Sequence, residues 1–299
     1  MLEAERRYSA GIIMVLASAV SYGLTPFFSS KSYEYGFESA SLLCVSNLIA
    51  AILLLPVLIS QRESIVPRME YRKDLIMTGF FVSAATFVLY QSYFYLPVGV
   101  ATSIHFCYPL FVMGGECIFY KKKFCRHDLW SAVLTVTGLM LMPEWGSHTG
   151  GYGIILALLS GIFFAGYVLR LNRSQLGNMH WSGFAFWMAV MKCLSAAAIF
   201  PMLNEGVPQF TGTSILMAAA VALTSSIVAV PLFKAGCRRV GETNAALMSL
   251  MEPIVSIMTG IVFLNEHITA VRLSGCVLVL GAAAFHTAAE IAFFSRKQP

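Results

Sequence analysis

Residues 101–110 read Ala101-Thr-Ser-Ile-His-Phe-Cys-Tyr-Pro-Leu110, and residues 245–254 read Ala245-Ala-Leu-Met-Ser-Leu-Met-Glu-Pro-Ile254. Both are apolar, small-residue stretches with a proline at the ninth place. Pro109 and Pro253 stand 144 residues apart. Two further apolar runs keep that offset: Leu129-Trp-Ser-Ala-Val-Leu-Thr-Val-Thr-Gly138 and Leu273-Ser-Gly-Cys-Val-Leu-Val-Leu-Gly281. Earlier in the chain Ser18 matches Ser160 and Lys31 matches Arg173 at an offset of 142, and Pro56 matches Pro201 at 145. A long internal repeat decides the fold before any single element does.

Working outward from these stretches, the hydropathy pattern predicts ten apolar helices, at 10–30, 39–59, 74–95, 98–120, 127–144, 150–170, 181–203, 213–235, 242–264 and 269–293. Most reach the ~20 residues that a hydrocarbon layer about 30 Å thick requires. Hydrophobic residues make up 58% of the chain and charged residues 12%, against about 25% charged in soluble domains. A soluble core could not hide that much apolar surface. The chain therefore reads as an all-α integral membrane protein.

The twenty Lys and Arg residues orient it. With the N-terminus inside, seventeen fall on the inner side: Arg6, Arg7, Arg62, Arg68, Arg72, Lys73, Lys121, Lys122, Lys123, Arg126, Arg170, Arg173, Lys234, Arg238, Arg239, Arg296 and Lys297. Lys31 and Arg272 fall outside, and Lys192 lies within a span. Cytoplasmic loops carry such an excess. A miscounted helix would invert every later loop, so the asymmetry predicts helix number and orientation together: ten spans, both termini cytoplasmic, in a plasma membrane. Five spans per half is an odd number. The halves, 1–148 and 149–299, then form an inverted 5+5 repeat within one membrane domain, an architecture of many secondary transporters.

Composition also excludes. The net charge of +5 is spread over six segments and follows topology, so nucleic acid is not a partner. The N-terminal apolar run exceeds the roughly 7–15 residues of a signal h-region. The seven cysteines, Cys44, Cys107, Cys117, Cys125, Cys193, Cys237 and Cys276, include no CxxC and read as reduced packing residues. No histidine has a metal-ligand spacing and no phosphate loop occurs, so neither metal nor cofactor is expected. Connections such as Leu96-Pro97 and Asn265-Glu266-His267 leave no room for a separate domain, which puts any function inside the bundle.

Within the spans, polar residues are few. Pro109 and Pro253 remove a backbone bond and free the carbonyls of His105 and Ser249, which must find a neighbouring helix, water or a cavity. Paired interruptions in two inverted halves point to a midplane site. Glu252 stands beside Pro253, where a carboxylate costs roughly 2.5–3.5 kcal/mol; it suits proton coupling, a cationic group, or a structural contact. Lys192, at the repeat position of Asn47, is open to three roles: neutralising Glu252, binding an anionic substrate group, or capping a freed carbonyl. His105 and Tyr108 share a helix face, with Tyr90 and Gln91 on the adjoining span. Ser225 and Ser226 are cavity polars or helix contacts. Tyr22, Gly23, Thr25 and Pro26 mark a further possible break.

One stretch carries a resemblance: Ala235-Gly-Cys-Arg-Arg-Val-Gly-Glu-Thr-Asn-Ala-Ala-Leu-Met-Ser-Leu-Met-Glu-Pro-Ile-Val255, followed by Phe263-Leu-Asn-Glu266. It is similar to the second-half pattern of the EamA branch of the drug/metabolite transporter superfamily: a basic loop, small residues, Glu-Pro in mid-helix, then a Gly-Glu-like helix end. The first half departs, with Tyr108-Pro109 in place of Glu-Pro and Tyr120-Lys-Lys-Lys without the glutamate. The resemblance implies proton- or gradient-coupled movement of a metabolite by alternating access.

The expectation is a secondary transporter of a small polar or amphipathic metabolite, not an enzyme. Its cavity should be lined by the third, fourth, eighth and ninth spans, with the fifth and tenth at an outer or homodimer surface. The candidate site comprises Glu252, Lys192, His105, Tyr108, Tyr90, Gln91, Ser249 and Ser225, with breaks at Pro109 and Pro253. An intramembrane enzyme acting on lipid-linked groups would need clustered catalytic polars near headgroup level. A scaffold would not need paired midplane prolines.

Overall fold

A computed structural model describes residues 2–121, 126–141, 148–171, 174–202, 206, 208–240, 248–249 and 251–295. Expectations resting on Lys122, Lys123, Cys125, Arg173, Arg296 and Lys297 lie outside these residues. Among the described residues the ordered elements are helical and no strand occurs. In chain order they are α1 (Leu2–Glu34), α2 (Ser39–Ser60), α3 (Met69–Ser92), α4 (Val98–His105), α5 (Tyr108–Tyr120) and α6 (Arg126–Met140). There follow α7 (His148–Leu171), α8 (Trp181–Ile199), α9 (Gly212–Ala222), α10 (Val230–Val240), α11 (Met251–Phe263) and α12 (Ala270–Ser295). Seven stretches, from Arg6–Glu34 to Gly212–Cys237, are long and apolar enough to cross a membrane; Met251–Phe263 and Leu273–Ala282 are shorter apolar helices.

Helix and apolar run are not the same length. α1 starts at Leu2 and α3 at Met69, eight and five residues before the expected spans. Backbone hydrogen bonding continues through a polar first turn that hydropathy reads as loop. Neither Pro26 nor Pro56 breaks its helix. Pro109 does: the expected single fourth span parts into α4 and α5, with Pro109 in the first turn of α5, where its missing N–H is no loss. The eighth span departs too. Between α9 and α10 the chain winds as a π-helix over Leu223–Ala229. Ser21 Oγ donates to the Thr224 carbonyl (2.8 Å) and Ser18 Oγ to the Ala229 carbonyl (2.8 Å). α1 thus supplies donors to backbone carbonyls of a stretch whose regular α ladder is interrupted.

The helices pair across the two halves. α2 packs on α8, α6 on α12 and α4 on α11; α1 lies against α9, α10 and α11, and α7 against α3, α4 and α5. Exchanging α1 with α7, α2 with α8, α3 with α9–α10, α4–α5 with α11 and α6 with α12 leaves this set of neighbours unchanged. The inside is rich in small hydroxyls, among them Ser18, Ser29, Ser46, Ser83, Ser131, Ser160 and Ser256, while Ile52, Phe80, Ile118, Leu129, Trp130, Val262, Phe263 and Val277 point outward. Small polar residues between helices and large apolar ones outside is the pattern of helices that meet in lipid. On α6 a Cβ at Gly138 would stand 2.7 Å from the Gly275 carbonyl. The glycine faces of the two helices expected at an outer or homodimer surface thus meet each other within this chain.

Candidate functional site

The second residue of α11 is Glu252, and α1 comes to its backbone as closely as a helix can. A Cβ on Gly23 would lie 2.6 Å from the Glu252 carbonyl oxygen and 2.6 Å from Val255 Cβ. Only a glycine admits that approach. The Glu252 carboxyl lies within electrostatic reach of Tyr22, Tyr93 and Tyr108. Tyr167 on α7 faces both Tyr22 and Tyr108. Three tyrosines, from α1, the turn after α3 and α5, therefore lie within electrostatic reach of one glutamate, and a fourth on α7 lies within reach of two of them. Glu252, Tyr22, Tyr108 and Tyr167 are each only half-buried, although protein surrounds them on every side.

Aromatic packing continues from Tyr108. Tyr108 sits 4.8 Å from Phe164 and 6.1 Å from His105, and Phe164 stands 5.2 Å from Tyr167. His105 is buried and held: its Nδ1 lies 2.9 Å from Ser160 Oγ, which donates its own proton to the Ala157 carbonyl at 2.7 Å. With that proton committed, Ser160 accepts from Nδ1–H, so the neutral ring presents a bare Nε2. The His105 carbonyl, freed by Pro109, faces α7 where a Cβ on Gly161 would be 3.0 Å away. A neighbouring helix meets the interruption, as the lipid environment demands.

The remaining candidates separate. Tyr90 is buried with Tyr93 at 6.1 Å, and its carbonyl accepts from Tyr33 OH at 3.0 Å. Gln91 is half-buried in the last turn of α3. No ring contact or hydrogen bond among the described residues joins either to His105 or Tyr108; Tyr90 approaches the glutamate only through Tyr93. Ser249 is half-buried one turn before Pro253. Ser225 lies in the π-helical stretch, donating to the Val221 carbonyl at 2.7 Å and standing 3.3 Å from Ser226 Oγ. Ser226 Oγ donates to Asn47 Oδ1 at 3.1 Å.

Lys192 sits on α8, buried at 8% exposure. It makes no ion pair or hydrogen bond among the described residues, and Glu252 makes no ion pair among them either. α8 packs on α2, α3 and α10, whereas α11 packs on α1 and α4. Neutralisation of Glu252, one of the three roles open to Lys192, is not among the ion pairs of the described residues. The repeat-related Asn47 is tied to Ser226, whereas Lys192 has no such tie among the described residues. Among the described residues no His, Cys, Asp or Glu group has the arrangement to hold a metal ion.

Tyr22, Tyr93 and Tyr167 were not singled out as site residues by sequence. The available signal was a tyrosine deep in an apolar span, whose hydroxyl requires a polar neighbour. Only the fold puts Tyr22 and Tyr93 within electrostatic reach of one carboxyl, and Tyr167 within reach of Tyr22 and Tyr108.

The end of the bundle at the α11–α12 connection is tight. Glu266 Oε1 accepts from the Val98 N–H at 2.8 Å, tying the α11–α12 connection to the start of α4. Thr102 Oγ1 and Ser256 Oγ meet at 3.3 Å, and a Cβ on Gly99 would lie 2.7 Å from Ile257 Cα. Burial raises the Glu266 carboxyl above its ordinary range, against the opposing pull of the Val98 and Gly99 N–H donors.

Comparison with known proteins places this arrangement. The family model described as the EamA-like transporter family matches residues 9–142 and again 151–288. An uncharacterized transporter of Bacillus subtilis, YcbK, is 24% identical over 294 residues, covering 91% of this chain and 90% of that protein. The threonine/homoserine exporter RhtA of Escherichia coli K12 is 27% identical over 218 residues, 71% of this chain and 69% of the exporter. A probable amino-acid metabolite efflux pump of Salmonella typhimurium is 23% identical over 206 residues, 62% of this chain and 66% of the pump. One solved crystal structure superposes with a TM-score of 0.66 at 15% identity, over 95% of this chain and 99% of the other; that likeness is one of fold.

Proposed function

This chain belongs to the EamA-like transporter family, and from that premise we propose that it is a secondary transporter that moves a small zwitterionic metabolite of amino-acid type across the plasma membrane by alternating access, coupled to protons. The observation that carries the reading is Glu252: a half-buried carboxyl with no ion pair among the described residues, within electrostatic reach of Tyr22, Tyr93 and Tyr108. A carboxylate among electron-rich aromatic faces suits an ammonium group or a proton in turn. Lys192, buried and without a tie among the described residues, suits the opposite end of a zwitterion. The names of RhtA and of the amino-acid metabolite efflux pump support this substrate class and the outward direction.

The architecture in this reading is ten spans in an inverted 5+5 repeat, divided near residue 148, with both termini cytoplasmic. Three observations support it: the bias of basic residues, the family model matching twice, and helix neighbours that survive exchange of the halves. In this reading the tight α4–α11 contact closes the outer side while the side of Glu252 and its tyrosines opens inward.

Counterflow in proteoliposomes tests the function. Radiolabelled threonine and homoserine, with arginine, glutamate and glucose as contrasts, are exchanged with and without an imposed pH gradient. Saturable, gradient-accelerated exchange of the neutral amino acids is expected. Glu252→Gln loses a hydrogen bond to a charged group, worth about 1.5–3 kcal/mol, so KM should rise roughly 10- to 100-fold and the pH dependence should vanish. Unchanged exchange by well-folded Glu252→Gln protein would reduce Glu252 to a structural role.

A further inference from the structure

Cys44 on α2 and Cys193 on α8 bring their sulfurs to 3.7 Å, close enough to share a thiol proton. One lies in each stretch that the family model matches, and 149 positions separate them. α2 packs on α8, so this contact joins the two halves of the chain. Both cysteines are free and half-buried, whereas Cys107 and Cys276 are buried. At the offset that relates Pro56 to Pro201, their counterparts are Ala189 and Leu48. Packing at this place in the fold therefore does not call for two sulfurs.

The pair is shallow. Cys44 is the sixth residue of α2, and Cys193 lies six residues before the end of α8. At 1.5 Å per residue these are depths of about 8 and 9 Å along the helices. Those two helix ends lie together: Glu38, which precedes α2, accepts from the Gly206 N–H beyond α8 at 3.0 Å. A disulfide needs its sulfurs about 2.05 Å apart, and the remaining gap is of the size that rotation about both Cα–Cβ bonds spans. On the orientation proposed above, this end faces outward, where disulfides persist.

We propose that Cys44 and Cys193 are an oxidation site: hydrogen peroxide joins them in a disulfide that fastens the two halves together and arrests transport. One sulfur gives up its proton and attacks a peroxide oxygen; the O–O bond breaks, water leaves and a sulfenic acid remains. The second sulfur attacks the first, the S–O bond breaks, a second water leaves and the S–S bond forms. Two thiols are oxidised and one peroxide is reduced to two waters. The arrest rests on the alternating-access reading above; formation of the bond does not.

The purified full chain in a neutral detergent is treated with hydrogen peroxide, its remaining thiols are blocked with a maleimide, and it is digested with trypsin. The peptide 32–62 should appear joined to 193–234 and should separate on addition of dithiothreitol. Tm of the oxidised chain should rise, because the bond closes a long loop in the unfolded state. Cys44→Ala and Cys193→Ser should each lose the linked peptide and the rise. In proteoliposomes peroxide should stop exchange by the unaltered chain and dithiothreitol should restore it. Cys44→Ala should exchange at the unaltered rate with or without peroxide. Absence of the linked peptide, or linkage through a different cysteine, would overturn the site. Linked protein that exchanges at full rate would overturn the arrest alone. A reduced chain that exchanges none of the amino acids would overturn the transport reading and the arrest with it, and would leave the bond standing.

Discussion

A glutamate held between a helix N-terminus and a glycine is the residue whose titration is easiest to isolate. Glu266 lies outside the spans, its Oε1 bonded to the Val98 N–H and its Oε2 buried without a partner among the described residues. Burial raises its folded-state pKa above the ordinary value of about 4.3. The folded chain therefore holds this proton more tightly than the unfolded chain. The stability this contributes is fully present below the unfolded pKa and is lost as pH rises through the folded one. Gln keeps the carbonyl acceptor for Val98 and removes the titration. Tm of the unaltered chain minus that of Glu266→Gln should fall as pH rises from about 4; a difference flat from pH 4 to 8 would contradict it. Legibility at this scale was uneven. Glu252 was visible because a lone mid-span carboxylate is rare. Tyr22, Tyr93 and Tyr167 were not, because a tyrosine in a span is ordinary until its neighbours are known.

Helices here are joined by contacts that one methyl group decides. α1 reaches α11 because Gly23 has no side chain where Glu252 O and Val255 Cβ already stand. Gly23→Val inserts atoms into a closed contact, which costs about 1–3 kcal/mol. Tm should fall by several degrees and transport should fall further than stability does, since the same contact holds α1, which carries Tyr22, against α11. Gly23→Ala with intact Tm and intact transport would show that the contact is looser than described. Element boundaries also explain where sequence reading faltered. Pro109 splits α4 from α5, whereas Pro26 and Pro56 leave α1 and α2 continuous. Proline removes one backbone bond in every case, and packing against neighbours decides whether the helix ends there. The π-helical stretch over Leu223–Ala229 had no signal in the sequence, because its carbonyls are served by Ser18 and Ser21 about 200 residues away.

Over the whole molecule, the proposed ten-span topology makes accessibility predictions. Single cysteines replacing Ser147 and Gly212 should react with an impermeant maleimide from outside intact cells, and one replacing Lys122 should not. Labelling at position 122 from outside would invert the scheme. The two mid-span charges give a second test. Lys192 and Glu252 form no ion pair and lie on α8 and α11, which pack on different partners. Their effects on stability should then be additive within about 0.3–0.5 kcal/mol. Lys192→Met with Glu252→Gln should lose the sum of the single losses; recovery of stability in the double variant would mean that the two charges meet in another state of the transport cycle.

Membrane class was legible from residue types alone, and the internal repeat and the charge bias were read from spacing in the same way. Each depends on a sum over many positions: apolar length against bilayer thickness, a 144-residue offset, cations counted loop by loop. Such sums tolerate error at any one residue. The site was legible only at its rarest members, Glu252, Lys192 and the two prolines. Its assembly was not, because Tyr22, Tyr93, Tyr108 and Tyr167 come from four separate segments that come into one another's electrostatic reach only when the helices pack. The separation of Lys192 from Glu252 is likewise a tertiary fact. Two opposite charges at similar depth look like partners in sequence, and the identity of the helices between them decides whether they touch.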